Sequence, residues 1–333
     1  MQNGLYRKIG NQYVCHGAAI TGNRMCPNCE INAKNNGIGL ELLRPVPTEL
    51  YERKHEFRLC MTGYPSSGKT QYITQLMDHI TNTATPNVKN TRFLDLKTKE
   101  IRDAIRNKFF DEGKINTTPR GYLDPLLYDI DSNSKSHKSV FYDISGEDFS
   151  REPDNLQQII VQKCAWSSRN IILIIDPTTL RGVQDEPNII KFRSVPTNRA
   201  EGAFADSLNS YLTLVISKNP EGKRFLRNVN LAVVITKMDL FDGDPDLSRI
   251  IQNESTHLTG NKFNIREVED VSREMKAWIR LKKGDLLLGA LEEYPNARIF
   301  GVSSGSEDPS AKISPKRLLD PYMWLLYRNG IIN

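Results

Sequence analysis

The stretch GYPSSGKT, Gly63 to Thr70, constrains this chain more than any other feature of its sequence. It fits the spacing G-x-x-x-x-G-K-T, in which a glycine-rich loop between a strand and a helix cradles phosphate groups with backbone N–H groups. An apolar run, residues 56–63, leads into the loop, and Ile73, Leu76 and Ile80 follow it at helical spacing. The loop therefore predicts a phosphate-binding site in an α/β domain, although the same eight residues serve ATPases, kinases and GTPases.

Each residue type in this loop has a separate chemical task. Gly63 and Gly68 allow the backbone to curl so that successive N–H groups point inward at the phosphates. Lys69 carries its charge to the β and γ oxygens, and the Thr70 hydroxyl is a ligand for Mg²⁺. Pro65 has no N–H to donate, so the donors come from the residues after it. The nucleotide-binding residues predicted in the loop are Gly63, Ser66, Ser67, Gly68, Lys69 and Thr70.

A second motif, DISG at residues 143–146, follows a short apolar run. An Asp at the end of a strand beside the phosphate loop can hold Mg²⁺ through water, and this is the role predicted for Asp143. The N–H of Gly146 can bind the γ-phosphate, so its position would report whether that phosphate is present. D-x-x-G is weak evidence alone, and its value comes from its place after the phosphate loop.

A third motif, TKMD at residues 236–239, indicates which base is bound. It follows the apolar run 231–235, which predicts a buried strand, and it fits the spacing [NT]-K-x-D. The Asp239 carboxylate can accept two hydrogen bonds from the N1–H and N2–H₂ edge of guanine, while the stem of Lys237 lies over the base. Adenine offers no such pair of donors, so a buried Asp239 would be left unpaired by ATP. Thr236, Lys237 and Asp239 are therefore the predicted guanine-binding residues.

A further strand, predicted over residues 298–302, ends in the sequence SSG. At this position a backbone N–H of Ser304 or Gly305 can bind O6 of guanine. The alternative is a plain strand-to-loop turn without a role in binding, since serine and glycine are also typical turn residues.

The composition is that of a globular protein without a membrane span. Of the 333 residues, 38% are hydrophobic and 26% are charged. The longest apolar run, residues 171–175, predicts a strand and is far shorter than the roughly 18 residues that a membrane-spanning helix needs. The opening MQNGLYRKIG has no apolar signal-peptide core, which predicts a cytoplasmic protein. The net charge of +5 is spread along the chain and gives no strong nucleic-acid signal.

The first 45 residues carry a candidate zinc site. Cys26 and Cys29 form a C-P-N-C knuckle, and Cys15 and His16 lie upstream of it. Two thiolates three positions apart on a tight turn can bind one tetrahedral Zn²⁺, with Cys15 and His16 as the second pair of ligands. Adjacent side chains diverge, however, so a knuckle without metal and a pair of redox-capable thiols are alternatives. The predicted domains are this zinc-knuckle-like segment with its linker, residues 1–45, and a nucleotide domain, residues 46–333.

The motifs GYPSSGKT, DISG, TKMD and SSG occur along the chain in the order that one class of nucleotide-binding proteins shows. The chain from Glu56 to Asn333 thereby resembles the Ras-like, translation-factor-related class of P-loop GTPases. Together with FYDISGEDF, IILIIDPTT and RLLDPYMWLL, the phosphate loop looks, more narrowly, like that of the double-GTPase proteins of bacterial conflict systems. The resemblance implies a three-layer α/β fold around a mostly parallel six-stranded sheet, and a GTP/GDP cycle that uses Mg²⁺. The narrower resemblance implies a protein partner, such as a second GTPase or a regulator encoded nearby.

The resemblance also implies switch residues. A Thr whose hydroxyl reaches Mg²⁺ should precede the strand that pairs with SVFYD, and Thr118 is slightly favoured over Thr117; a Thr-Thr-Pro turn is the alternative. Glu147 stands where a Ras-like enzyme has its water-positioning Gln, and a carboxylate there repels the γ-phosphate. Slow hydrolysis is therefore expected, accelerated by an arginine of a partner or by Arg120, which is otherwise a solvated loop residue. The predicted catalytic residues are Lys69, Thr118, Gly146 and Glu147.

The chain is longer than this class requires in two places. Residues 93–113 predict an inserted amphipathic helix with Ile101, Ile105 and Phe109 on its apolar stripe. A long basic excursion follows residue 175 and is interpreted as a docking loop for a partner or an anion, or as a solvated loop. The closing sequence KRLLDPYMWLLYRNGII predicts a last helix packed on the core.

The sequence thus predicts a GTP-binding and GTP-hydrolysing switch that acts through a protein effector or regulator. Two alternatives from other classes stay open. One is an ATP-dependent P-loop kinase or ATPase whose base site ignores TKMD. The other is a zinc-dependent interaction module whose nucleotide domain does not hydrolyse.

Overall fold

The fold is taken from a computed structural model of the chain. It describes residues 7–9, 12–15, 18–20, 56–63, 67–82, 85, 87–110, 125–132, 135–145, 168–184, 189, 222–247, 253–258, 260, 262–304 and 315–333. The first three of these ranges are described by their backbone alone.

Three short strands near the N-terminus form an antiparallel sheet that was not predicted from the sequence. They are β1 (Arg7–Ile9), β2 (Gln12–Cys15) and β3 (Ala18–Ile20), paired in that order. Cys15 ends β2 and lies opposite Ala18. The other three zinc candidates lie outside the described residues, so the zinc site stays a prediction; they are His16, Cys26 and Cys29.

The main sheet has seven strands in the order β10-β9-β8-β4-β7-β6-β5. The strands from β10 to β7 in this order run parallel, whereas β6 and β5 are each antiparallel to their neighbours. The sheet is therefore mostly parallel, as predicted. Its strands are β4 (Glu56–Gly63), β5 (Asn90–Phe93), β6 (Leu126–Ser132), β7 (Lys135–Asp143), β8 (Asn170–Ile175), β9 (Asn230–Ile235) and β10 (Ala297–Gly301).

The described helices connect these strands or follow the last of them. Short 3₁₀ turns occur at Pro177–Thr179, Met238–Phe241 and Thr256–Leu258. The α-helices are α1 (Lys69–Asn82), α2 (Leu96–Phe110), α3 (Arg181–Gln184), α4 (Lys223–Leu226), α5 (Ile265–Leu281), α6 (Asp285–Leu291) and α7 (Asp320–Arg328).

Both faces of the sheet are covered, which explains why its central strands are apolar along their whole length. Every residue of β8 and β9 is buried. On one face, Leu173 belongs to the same apolar cluster as Trp278 of α5. On the other face, Ile174 shares a cluster with Leu76 of α1 and Trp324 of α7. The sheet therefore lies between two helical layers.

The strand count differs from the six that the resemblance implied. The extra strand is β5, which lies between α1 and the predicted inserted helix and pairs with β6 at the edge of the sheet. Thr91 of β5 is buried, whereas Arg92 is exposed and forms ion pairs with Asp129 at 3.3 Å and Asp131 at 3.1 Å. A polar edge strand of this kind is hard to recognise in a sequence because it has few apolar residues, and its charges discourage pairing with another chain. The inserted helix itself is present as α2.

The hairpin between β6 and β7 is tight. Residues 131–138 are polar and separate two apolar runs, but the strands continue through them to the pair Ser132 and Lys135. Buried Asp129 forms an ion pair with Lys138 at 2.8 Å and accepts a hydrogen bond from Ser136. Burial disfavours the ionised carboxylate, but hydrogen bonds from Lys138 and Ser136 outweigh it and lower the pKa of Asp129. These polar residues are strand residues because they satisfy one another.

The last helix packs on the core, as predicted. The apolar residues of the closing sequence are buried, among them Leu318, Leu319, Met323, Leu325 and Leu326. Tyr322 of α7 also contacts Phe141 of β7, with ring centroids 5.8 Å apart. Among the described residues, no helix combines the length and apolar character needed to cross a membrane.

Candidate nucleotide-binding site

The predicted site residues gather at one edge of the main sheet. Parallel strands end at a common edge, and open α/β sheets bind their ligands there. Gly63 ends β4 and Asp143 ends β7. Residues 236–239 follow β9, and Ser303 and Ser304 lie just beyond β10. The fold thus brings together motifs that are far apart in the sequence.

The phosphate loop begins at a position where a side chain cannot be accommodated. A Cβ atom on Gly63 would lie 2.6 Å from the backbone oxygen of Ile174 and 2.8 Å from Oγ of Ser67. Gly68 has a φ of +80°, in the left-handed region that glycine adopts without strain. α1 begins at the next residue, and the N–H of Tyr72 donates to the carbonyl of Gly68 at 2.9 Å. The backbone therefore turns at Gly68 into the N-terminus of α1, and a helix N-terminus is suited to bind an anion.

Gly63→Ala is expected to destabilise the protein by about 1–3 kcal/mol, because the new methyl group overlaps backbone that β4 and β8 hold in place. Urea denaturation measures the change in the free energy of unfolding. The matched control is Gly289→Ala in α6, where a Cβ atom meets nothing within 4 Å. Alanine favours a helix over glycine, so the control should be neutral or slightly stabilised. Equal destabilisation of both variants would contradict the prediction.

Lys69, the first residue of α1, forms an ion pair with Asp143, the last residue of β7. Asp143 is brought there by the pairing of β7 with β4 and by the hydrogen bond from Ile144 N–H to the carbonyl of Met61 at 2.9 Å. Lys69 is the residue predicted to bind phosphate oxygens, and Asp143 is the one predicted to hold Mg²⁺. The two groups therefore lie close enough to serve one metal–phosphate unit.

Thr236 ties the base motif to the phosphate loop. Its hydroxyl lies 2.8 Å from the carbonyl of Ser67 and 3.1 Å from the carbonyl of Ile175. The loop after β9 is thereby tied to the loop after β4 and to the end of β8. All three residues are buried, so the contacts exclude water from the junction.

Lys237 has a left-handed backbone, with a φ of 55° and a ψ of 31°. Its Nζ lies 2.9 Å from Oδ2 of Asp176, the residue that directly follows β8. This ion pair was not predicted, because Asp176 belongs to the sequence IIDPTT and not to any of the nucleotide motifs. The signal that would have found it is a charged residue at the end of an otherwise apolar central strand.

Asp239 is held by a serine that follows β10. The hydroxyl of Ser303 donates to Oδ1 of Asp239 at 2.8 Å. The prediction named Ser304 and Gly305 for their backbone N–H groups and left out Ser303. Ser304 is buried beside it, whereas Gly305 lies outside the described residues. The signal for Ser303 was a hydroxyl at the end of the strand parallel to β9.

The turn after TKMD is anchored to α5. Phe241 meets Trp278 edge to face, with ring centroids 5.0 Å apart. Asp244 forms an ion pair with Lys282 at 3.0 Å and accepts a hydrogen bond from Nε1 of Trp278 at 3.2 Å. Burial raises the pKa of Asp244, but hydrogen bonds from the Asp246 N–H, Lys282 and Trp278 outweigh it, so the pKa lies below its ordinary value. These contacts hold the turn after TKMD in place against α5 and the residue that follows it.

Several predicted residues lie outside the part of the chain that the structure describes. They are Ser66, Thr117, Thr118, Arg120, Gly146, Glu147 and Gly305, together with the zinc candidates His16, Cys26 and Cys29. Their assigned roles stay predictions.

A comparison with family models identifies the family of this chain. A family model described as Double-GTPase 2 matches residues 58–288, which is more than half of the chain. A search of curated proteins finds no match. The matched range begins within β4 and ends within α6, so it includes the phosphate loop, Asp143 and the TKMD motif.

Proposed function

The chain belongs to the Double-GTPase 2 family, and from that premise we propose that it is a switch that binds GTP and GDP with Mg²⁺ and hydrolyses GTP slowly. It acts through a protein effector or regulator. The double-GTPase resemblance favours a second GTPase or an activating protein as that partner, in a bacterial conflict or defence system.

One observation carries the proposal: the base motif and the phosphate loop are joined directly. The Thr236 hydroxyl donates to the Ser67 carbonyl at 2.8 Å, so the distance between the loop and the base site is set by the fold. A nucleotide whose phosphates lie in the loop would have its base near residues 236–239. The side chain there is an aspartate, and it lacks any donor that adenine's acceptors could use.

Guanine suits Asp239 better than adenine does. Ser303 uses one hydrogen-bonding direction of Oδ1 and leaves lone pairs on both carboxylate oxygens. Guanine has two adjacent N–H donors that match two acceptor oxygens, whereas the same edge of adenine would leave a carboxylate unpaired. A site built for hydrogen bonds rejects a ligand that lacks them by large factors. No observation in the described residues favours the ATP-dependent alternative.

The donor set in the loop fits Mg²⁺ and a nucleotide. Thr70 supplies a hydroxyl and Asp143 a carboxylate, the hard oxygen ligands that Mg²⁺ prefers. Ser67 Oγ is buried and has no hydrogen-bond partner among the residues that the structure describes, so a polar atom there is available to a ligand. Mg²⁺ would neutralise charge on the β and γ oxygens. Lys69, freed from Asp143, would bind the same phosphate group.

Slow hydrolysis is proposed because of the side chain at position 147. Glu147, next to the γ-phosphate sensor Gly146, is a carboxylate and repels phosphate where a glutamine would orient water. Lys69 and the loop amides stabilise charge on the phosphates, so the nucleotide is held well even when it is cut slowly. An arginine from a partner would supply the missing stabilisation. We propose separately that the N-terminal cysteines, together with His16, bind Zn²⁺.

The test is nucleotide selection and turnover by the full-length protein. With fluorescent nucleotides and Mg²⁺, GDP and GTP should bind at least about 100-fold more tightly than ATP. Phosphate release under single-turnover conditions should proceed on the order of 10⁻⁴ to 10⁻² per second. Pull-downs with GTP-loaded and GDP-loaded protein should retain different partners, because a switch must discriminate between the two states. ATP binding as tight as GTP binding would disprove the proposal.

A further inference from the structure

We propose that Asp176 is a positioning residue that holds Lys237 in place to receive the guanine base. The inference rests on the proposed function, since it concerns the base site of the same switch. Asp176 does not belong to the phosphate loop, DISG, TKMD or SSG, and it acts through Lys237 without touching the nucleotide.

The carboxylate of Asp176 is itself fixed. It is 2% exposed and directly follows β8, a central strand that is buried along its length. Oδ1 accepts a hydrogen bond from the Thr178 N–H at 2.8 Å, and Oδ2 lies 2.9 Å from Nζ of Lys237. Each oxygen thus has its own partner. A buried carboxylate with both oxygens engaged cannot rotate to follow a mobile lysine, so the lysine is held by the carboxylate.

Lys237 needs such a constraint at both its backbone and its side chain. A residue with a Cβ atom disfavours the left-handed region, so a φ of 55° persists only where surrounding contacts hold it. Thr236 fixes the chain on one side, and the 3₁₀ turn beginning at Met238 fixes it on the other. The side chain is only 22% exposed, and its long alkyl stem would otherwise sample many rotamers. The ion pair with Asp176 selects one of them.

The consequence for the nucleotide is pre-organisation. A lysine stem already fixed in its bound direction loses no further rotamer freedom when a base packs on it, and this raises affinity without a new contact. Asp176 also caps the 3₁₀ turn Pro177–Thr179, which lies at the start of the long excursion after β8. The base site is therefore coupled to the start of that excursion through one carboxylate.

Asp176 is also the N-cap of the 3₁₀ turn, and the experiment separates this role from the positioning of Lys237. Asp176→Asn keeps an oxygen that can accept from the Thr178 N–H, but removes the charge that holds Lys237. Lys237→Met keeps the apolar stem and removes the ammonium group. A double-mutant cycle of these two changes measures whether Asp176 acts through Lys237. Asp246→Asn is the matched control, because Asp246 is an exposed aspartate in the turn after TKMD.

Binding and release of fluorescent GDP by the full-length protein are measured at fixed Mg²⁺, with a thermal melt of each variant. Asp176→Asn is expected to weaken GDP binding about tenfold, mainly through faster release, whereas Asp246→Asn leaves it unchanged. In the Lys237→Met background, Asp176→Asn should change GDP affinity less than about twofold. It should also raise the melting temperature of that background, since Lys237→Met leaves a buried carboxylate without its counter-charge.

Two results would overturn the inference while leaving the proposed function intact. One is wild-type affinity in Asp176→Asn. The other is an equal loss of affinity in both backgrounds, which would assign Asp176 to the turn alone. Failure of the wild-type protein to bind GDP would instead overturn the proposed function, and this inference with it.

Discussion

Asp239→Asn is expected to lower the affinity for GDP and GTP by about 100- to 1,000-fold while leaving the weak affinity for ATP nearly unchanged. Two hydrogen bonds to a carboxylate are each stabilising by roughly 1.5–3 kcal/mol, and an unpaired donor adds a desolvation cost. The asparagine amide presents one acceptor and one donor, so its NH₂ group would face the N2–H₂ group of guanine. The ratio of GTP affinity to ATP affinity should therefore fall by nearly the same factor as the affinity for GTP.

The same substitution predicts a gain for a different base. Xanthine carries a carbonyl at C2 where guanine carries an amino group, so the amide donor of the introduced asparagine would meet an acceptor. Xanthosine diphosphate should therefore bind Asp239→Asn more tightly than it binds the wild-type protein. Titration with fluorescent guanine, adenine and xanthine nucleotides measures all three affinities. An unchanged ratio of GTP to ATP affinity would show that Asp239 does not read the base.

Asp246→Asn is the control for that experiment too. Asp246 lies in the turn after TKMD and is exposed, and its described contact is a backbone N–H donated to Asp244 at 2.9 Å. The Asp-to-Asn change there alters charge by the same amount without altering the base site. Its nucleotide selectivity should equal that of the wild-type protein.

Arg317→Met is expected to lower the free energy of unfolding by about 3–5 kcal/mol, because it leaves buried carboxylates without their counter-charge. The Arg317 side chain is 1% exposed. It forms ion pairs with Asp320 at 2.7 Å and with Glu267 of α5 at 2.8 Å. Ser255 also donates to Asp320, so the group is a connected network. Chemical denaturation at neutral pH measures the change.

Arg273→Met in α5 is the matched control. Arg273 is 75% exposed and pairs at the surface with Asp270, so its loss should change the free energy of unfolding by less than about 1 kcal/mol. A change of similar size in both variants would contradict the role given to burial.

The Arg317 network also lies next to the candidate base site. The preceding residue, Lys316, forms a backbone bridge with Ser303, in which Ser303 N–H donates at 3.1 Å and Lys316 N–H donates at 2.9 Å. Ser303 in turn binds Asp239. The buried arginine therefore holds in place the neighbour of Lys316, which pairs with Ser303, and any Arg317 variant that still folds is expected to release GDP faster.

Much of the fold could be predicted from local patterns. The apolar runs at residues 171–175 and 231–235 became the buried strands β8 and β9, and the helical spacing after the phosphate loop became α1. These predictions succeed because a strand covered on both faces needs apolar residues at every position. β5 was missed because an edge strand has no such requirement, and its charges pair with β6 only after the sheet has formed.

For the candidate site, too, some features could be predicted from the sequence and others depend on the tertiary structure. The sequence by itself determined the residue types at the candidate site: glycines in the phosphate loop, a lysine predicted to bind phosphates, and an aspartate predicted to bind a base with two donors. The apolar runs before the motifs also predicted that these residues lie at the ends of strands. The tertiary structure alone decided the contacts that fix them, because those contacts join residues from different strands. The sheet order sets which loop ends meet, so only the folded chain brings Thr236 to Ser67, Ser303 to Asp239 and Asp176 to Lys237.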